Sequence, residues 1–507
     1  MSSFWISTKP NFDTNFPKCT SSIHCDVCII GGGITGIVCA YYLSKAGKHV
    51  ILLEQDELAY KTTGNTTAKI TSQHDLFYDY LIQTFGESYA KQYLNANEQA
   101  ILDIENIIQS EQIDCDFEQK SAYVFTQDPK NINSILKEVA AMKKLNFDAS
   151  YIKEHIPLTL DPILGAICFP NQAQFHPRKY LEGLSKAILK NGGEIFEYSK
   201  VTKFSYNQDI STISLENGIN ITAPVTILAT RYPFLNLPGF YFMKMYQSTS
   251  YVIGLESSKI ICDGMFISCD RPNLSFRSSL VDGKKIIILA GCEHKTGTEP
   301  EVPNPYSYLE SIAKKMDPHC KILYHWSTED CISVDKIPYI GNFSTFYPNL
   351  YLATGFKKWG MTFSHIAAQI LTDAILGKEN SYANLFSSTR YSPIQNKEEV
   401  KNIVKESVQS LFLNKLSISE LDLSSLKNGD GNIFEVKNQK VGIYRDEKGL
   451  LYGVKPICSH LGCLLHFNST LKTWDCPCHG SRYNYLGKCI YGPSNQDIPQ
   501  ITFSEKL

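Results

Sequence analysis

Arginine is scarce in this 507-residue chain: only seven stand among 49 basic residues. There is no basic run or stripe, and the formal net charge is −2. That argues against nucleic acid or an anionic membrane as the main partner. No stretch of about 18 consecutive apolar residues occurs, so no transmembrane segment is expected. The first residues, MSSFWISTKPNFDTNFPKC, lack a charged segment followed by an apolar run. No secretory signal is therefore expected, and the expected location is cytoplasmic. Disulfide-framework spacing is missing from most of the 16 cysteines; Cys19, Cys39, Cys115, Cys168, Cys262 and Cys320 stand singly, as suits a reducing compartment. Four others crowd into residues 458–478. The length exceeds one ordinary domain, and 43% hydrophobic with 20% charged residues is the balance of a globular protein with real cores.

Residues 25–36, CDVCIIGGGITG, are an apolar run entering a glycine cluster. IVCAYYLSKAG then reads as a helix, and HVILLEQD as a second buried strand, which makes a βαβ unit. Gly31, Gly33 and Gly36 match G-x-G-x-x-G, with Ile34 and Thr35 inside the motif. Glu54 ends the next strand 23 positions after Gly31. In this setting Gly31 permits a tight turn and Gly33 lets the backbone approach a pyrophosphate at the helix N-terminus. Gly36 allows close helix–strand packing, and Glu54 is placed to accept ribose hydroxyls. Cys25 and Cys28 form C-x-x-C inside the first strand, where small core residues are expected rather than a redox pair.

Helical periodicity covers 87–110 and 131–145. Short strands follow between 195 and 230, then at 246–255 and 285–292. NLYLATG near 349 enters a second glycine turn and a helix. Segment 386–400 is polar and reads as a linker, 401–413 as an amphipathic helix, and short strands with turns resume from about 416.

The segments KTTGNTTAKIT (61–71), NQAQFHPRKYLEGL (171–184), TILATRYP (226–233), DKIPYIG (335–341) and ATGFKKWGMT (353–362) accompany the glycine motif. Together they resemble the glycine/D-amino-acid oxidase-like superfamily of FAD-dependent oxidoreductases over about residues 24–385. The resemblance implies an α/β Rossmann-type FAD-binding domain (about 24–85, 165–240 and 330–385). An α+β substrate domain (about 86–164 and 241–329) is interleaved with it, the two making up residues 1–385. It implies that Thr63 and Gly64 follow the FAD phosphates and ribityl chain, that Thr67 to Lys69 approach the flavin ring, and that Val201 meets the adenine. Gly355, Gly360 and Met361 are implied to close on the ring's N1–C2=O edge, where a helix N-terminus and Lys357 and Lys358 add positive potential. Asn65 stands where the family often carries arginine or histidine. No second G-x-G-x-x-G follows another strand, so a small organic substrate is expected as electron donor in place of a nicotinamide. The family often places a carboxylate-binding arginine where Arg277 stands, and an arginine fork suits a carboxylate. Arg277, His294 and Lys69 are the candidate substrate contacts, and no catalytic residue is named.

At the other end, CSHLGC (458–463) is followed by CPCHGSRY (476–483). Four cysteines and two histidines in this spacing suit a metal centre. A zinc knuckle would show C-x-x-C in both halves, and C-x-H departs from that. The pair resembles the Rieske [2Fe–2S] domain over roughly 416–507. A Rieske cluster has two thiolates on one iron and two imidazoles on the other. The resemblance implies Cys458 and Cys476 on one iron, His460 and His479 on the other, and a disulfide between Cys463 and Cys478. It also gives Ser481 and Tyr483 as donors to sulfur that raise the potential. No closely spaced histidine pair with a nearby acid supplies the mononuclear iron site a ring-hydroxylating oxygenase would need. His466 matches no ligand position.

The expected chain is thus an FAD-dependent oxidoreductase (1–385), a linker (386–415) and an all-β Rieske domain (416–507). It is expected to oxidise a small amine or amino-acid-like substrate and to pass electrons singly to an unidentified acceptor, the linker letting the Rieske domain dock near the flavin or swing away. A flavin oxidase using dioxygen, and an electron-transfer module without a small substrate, are the alternatives.

Overall fold

The computed structural model describes residues 2–390 and 423–502, apart from residues 10, 236, 282 and 437–438. The expected helix at 401–413 and most of the expected linker fall outside the described residues.

A six-stranded sheet forms the first layer. Its order is Tyr339–Ser344, Tyr347–Thr354, Val225–Leu228, Val27–Ile30, Val50–Leu53, Glu194–Phe196. The last five strands run parallel, and Val27–Ile30 and Val50–Leu53 are buried on both faces, as covered parallel strands must be. Helix Ile34–Lys45 leaves the glycine turn and packs along helix Gly360–Ile375, Thr35 and Ser364 hydroxyls meeting at 3.1 Å. Gly36 cannot be another residue, because a Cβ there would lie 1.8 Å from the Gly31 carbonyl oxygen. The helices expected at 87–110 and 131–145 are Glu87–Ser110 and Ile132–Lys144.

A nine-stranded mixed sheet forms the second layer. Long antiparallel strands at one end, Met245–Glu256, Lys284–Lys295 and Lys321–Ser333, continue through Leu274–Val281, Met265–Ser268 and Glu118–Thr126. Helix Pro305–Met316 packs on it. The C-terminal region is all-β: one small sheet runs Asp430–Val436, Gln439–Arg445, Leu451–Val454, Gln500–Ile501, and the other runs His466–Asn468, Thr473–Asp475, Arg482–Asn484, Cys489–Tyr491. Its core gathers Trp474, Phe467, Tyr444 and Tyr483 around Cys458 and Cys476. Among the described residues no helix is long and apolar enough to cross a membrane.

Candidate active site and metal centre

A cavity of about 510 Å³ opens between the two large sheets. One wall is the glycine turn and the start of its helix (Gly33, Ile34, Thr35) with Thr63 and Thr67. The opposite wall is Gly355, Trp359, Gly360 and Met361. Of the residues expected to bind cofactor, these eight apart from Trp359 therefore converge on one space. Gly31, Gly36, Glu54, Gly64 and Val201 do not line it. Gly31, at φ 112°, packs on the Ala229 carbonyl. The Glu54 carboxylate accepts from the backbone N–H of Gly32 (2.7 Å) and Asp56 (2.9 Å), and burial raises its pKa. Gly64 is tied to the N-terminal helix Phe4–Thr8, its carbonyl accepting from the Ser3 hydroxyl. Val201 opens the strand Val201–Asn207.

The far end of the cavity is polar: Lys69, Arg271, Asn273, Ser275, Glu293, Asp330 and Lys358 all line it. Burial alone would raise the Glu293 carboxyl, but Lys358 Nζ at 2.8 Å holds it down at about 2. Burial pushes Asp330 up to about 6, partly offset by Lys358 and Arg231. Lys69 has no carboxylate partner among the described residues. Its Nζ donates to the Phe266 carbonyl (2.8 Å) and the Ser275 hydroxyl (2.5 Å), and burial pulls its pKa down to about 7. Sequence reasoning singled out only Lys69 and Lys358 of this group. Of the rest, Ser275, Glu293 and Asp330 sit on three different strands and Arg271 and Asn273 in the loop before Leu274–Val281, with no local signal that joins them.

Arg277 does not reach the cavity. Its guanidinium donates to the carbonyls of Thr67, Ala68 and Phe175 and stacks over Trp5, so it braces the 67–69 loop from behind. Arg271 and Arg231 are the arginines that line the cavity. His294 also points elsewhere, stacked on Tyr251 with ring centroids 5.8 Å apart, one residue from the cavity-lining Glu293. Consecutive strand residues face opposite sides.

The same alternation makes the long antiparallel strands a partition. On Met245–Glu256, Tyr246 and Ser250 line the cavity, and the Ser248 hydroxyl donates to Glu293. The intervening Gln247, Thr249 and Tyr251 meet the C-terminal β region. Gln247 Nε2 donates to the carbonyls of His479 and Gly492, both at 2.7 Å. Arg482 donates to the Thr249 hydroxyl (3.0 Å), and Asn468 donates to the Tyr251 hydroxyl (3.1 Å). On the paired strand, Thr328 and Asp330 line the cavity, while Glu329 takes an ion pair from Arg482. Glu329 sits opposite Thr249 in register, so both reach the same guanidinium. Gly480 permits this approach, since a Cβ there would meet the Gln247 side chain at 2.5 Å. At the sheet edge Arg231, a cavity residue, stacks on Tyr491, and Asn65 donates to the Tyr491 hydroxyl at 3.4 Å. Asn65 is thus an interface residue.

Two turns of matching geometry build the metal centre. Cys458 N–H donates to the Cys463 carbonyl and Gly462 N–H to the Cys458 carbonyl. Likewise Cys476 N–H donates to the Ser481 carbonyl and Gly480 N–H to the Cys476 carbonyl. Each turn presents one cysteine and one histidine. The His460 and His479 rings lie 5.1 Å apart at 88°, and Phe242 packs edge-on against both. Cys463 and Cys478 form a disulfide, which leaves Cys476 as the free thiol in the group Cys463, Cys476 and Cys478. The Tyr483 hydroxyl is 3.4 Å from Cys458 Sγ, and Ser494 N–H donates to the Ser481 hydroxyl at 3.0 Å. His466 lies away from these groups, at 3.1 Å from Glu299.

Residues 26–374 match the family model "FAD dependent oxidoreductase", and residues 419–502 match "Rieske [2Fe-2S] domain". The chain belongs to the FAD-dependent oxidoreductase family and carries a C-terminal Rieske domain. A Bacillus subtilis (strain 168) relative named as a Rieske 2Fe-2S iron-sulfur protein, YhfW, is 36% identical over 487 residues, 96% of this chain and 95% of that one. The gamma-glutamylputrescine oxidoreductase of Escherichia coli (strain K12) is 21% identical over 76% of this chain and 92% of its own length. The crystal structure of glycine oxidase from Geobacillus kaustophilus superposes with a TM-score of 0.62 at 15% identity, over 73% of this chain and all of that one. The cofactors of the present chain are FAD and a Rieske-type [2Fe–2S] cluster. Both fit the residues present. The cavity holds the buried Trp359 indole N–H, without a partner among the described residues, and a Cβ on the cavity-lining Gly33 would lie 3.2 Å from the Thr63 hydroxyl. At the metal centre the Cys458 and Cys476 thiols share one buried cluster, the two imidazoles lie side by side, and the buried Nδ1 of His479 has no hydrogen-bond partner among the described residues.

Proposed function

We propose that this oxidoreductase dehydrogenates a small amine or amino-acid-like substrate in the cavity and passes the electrons singly through the Rieske cluster to a separate acceptor. The observation that carries this reading is the partition: one strand pair presents Ser250 and Asp330 to the cavity and Gln247 and Glu329 to the cluster-bearing turns. When bound, FAD supplies a two-electron acceptor for hydride and the cluster a one-electron carrier.

The chain's own residues supply the rest. Lys69 fits the role of proton acceptor. A neutral amine has two N–H groups and one lone pair; both N–H groups are taken up by Phe266 and Ser275, which leaves the lone pair for an incoming ammonium. Arg271 is placed to hold a carboxylate at the polar end, and Glu293 and Asp330 to receive a cationic group. Cys458 and Cys476 with His460 and His479 hold the cluster, and Tyr483 donates to Cys458 sulfur, which favours the reduced state. The gamma-glutamylputrescine oxidoreductase relative supports an amine-bearing substrate class.

Anaerobic mixing of the holoprotein with a panel of primary and secondary amines and amino acids tests this reading. A substrate should bleach the flavin, and the electron paramagnetic resonance (EPR) signal of the reduced cluster should follow. Bleaching with the cluster left oxidised would favour a dioxygen-using oxidase. No bleaching by any member of the panel would favour an electron-transfer module.

A further inference from the structure

We propose that the Rieske domain is held permanently on the substrate sheet, and that Gln247, Glu329 and Arg482 are the positioning residues that keep it there. The strand pair is then a fixed spacer between cavity and cluster, and the domain does not leave its dock to collect electrons. The purpose of the dock rests on the proposed passage of electrons; its geometry does not.

Three features distinguish this interface from a transient one. First, it is anchored by buried charge. Arg482 is fully buried and bonds to two carboxylates, Asp475 within its own domain and Glu329 across the interface, together with the Thr249 hydroxyl. Burial alone would lower the guanidinium pKa, but Asp475 and Glu329 hold it charged. Undocking would leave Glu329, at 1% exposure, without its only ion-pair partner among the described residues. Removing one partner of a buried ion pair shifts an equilibrium by about a hundredfold or more. Second, the contact is stereospecific at the cluster loop itself. Gln247 inserts between the carbonyls of His479 and Gly492, where Gly480 alone makes room. Gly297, at φ 82°, lies so close to Pro477 that a Cβ would be 2.4 Å from the Pro477 nitrogen. Third, both expected histidine ligands are packed against Phe242 of the flavin-bearing part. A domain that shuttled would have to expose all of these groups at each turnover, including a charged triad whose members are 1–3% exposed.

X-ray scattering of the full-length holoprotein tests this, oxidised and after reduction by dithionite. One compact profile is expected in both states. Glu329→Arg sets like charges against each other in the buried site, and Gln247→Trp wedges the cluster loop away. Each variant should keep its flavin absorbance and its reduced-cluster EPR signal, expand in scattering, and shift the cluster's g-values as the packing on His479 is lost. Expansion of the wild-type protein on reduction would overturn the proposal. So would compact profiles with unchanged EPR spectra in both variants with cofactors in place. Dithionite reduces without substrate, so the result stands even if no amine proves to be oxidised.

Discussion

Glu329 and Arg482, 153 residues apart in the chain, form a buried ion pair that joins the substrate sheet to the cluster-bearing region. The backbone carbonyl of Glu329 also accepts from Arg231 and Thr62, both cavity residues. One residue therefore touches the cavity wall with its main chain and the Rieske domain with its side chain. Arg482→Met should leave Glu329 and Asp475 as uncompensated buried carboxylates and destabilise the holoprotein by about 3–5 kcal/mol. Denaturant unfolding followed by tryptophan emission measures this. A loss under about 1 kcal/mol would place the pair among weak surface ion pairs.

Lys69 makes stability depend on pH in a defined direction. Its folded pKa is lowered by burial to about 7, from an ordinary 10.5. Below the lower value both folded and unfolded states carry the charge, and the burial penalty is fully present. Between the two values the unfolded state binds more protons, so stability should rise with pH across that window. Lys69→Met should flatten the rise. Paired melting curves from pH 6 to 10 measure the difference, and parallel curves would contradict a depressed Lys69. Once a substrate is in hand, the acid limb of kcat/KM near pH 7 should also vanish in this variant.

Gly36→Ala should abolish FAD retention. Its Cβ would fall 1.8 Å from the Gly31 carbonyl, which can yield only if the glycine turn moves. The flavin-to-protein ratio of the purified variant should drop, while the reduced-cluster EPR signal persists. Full flavin content would show that the turn tolerates displacement.

Tyr483→Phe removes the hydroxyl 3.4 Å from Cys458 Sγ. A donor to sulfur stabilises the added electron, so its loss should lower the cluster's midpoint potential. A redox titration monitored by EPR reads this directly, and an unchanged or higher potential would mean that the hydroxyl serves Ser459, its other neighbour. Replacing both Cys463 and Cys478 by serine opens a loop closed across 15 residues, which should destabilise the region by about 3 kcal/mol.

Much of the fold and the cofactor sites was legible because their signals are local. The glycine turn, its flanking strands and the paired cysteine–histidine turns each lie within a short segment whose chemistry demands particular residue types. The polar end of the cavity was not legible, because Glu293 and Asp330 come together only through strands that each pair with Met245–Glu256, and Arg271 joins them from the loop before Leu274–Val281. Arg277 misled for the same reason: on strand Leu274–Val281 only register and the N-terminal helix decide that it faces Trp5. The interface left a faint trace in MYQSTSYVIGLE, where Gln247, Ser248, Thr249 and Ser250 place polar groups on both faces of one interior strand. That pattern marks a strand with polar partners on each side.

Transfer from flavin to cluster within one chain is tested most directly by light. With EDTA as the sacrificial electron donor in place of any substrate, the flavin of the oxidised holoprotein is photoreduced anaerobically in a brief flash, and flavin absorbance and the cluster's EPR signal are followed by rapid freezing. Flavin recovery and cluster reduction should proceed at the same rate, independent of protein concentration, and slow markedly in Glu329→Arg. A cluster that stays oxidised, or a rate that rises with protein concentration, would contradict passage across the Gln247–Glu329 partition.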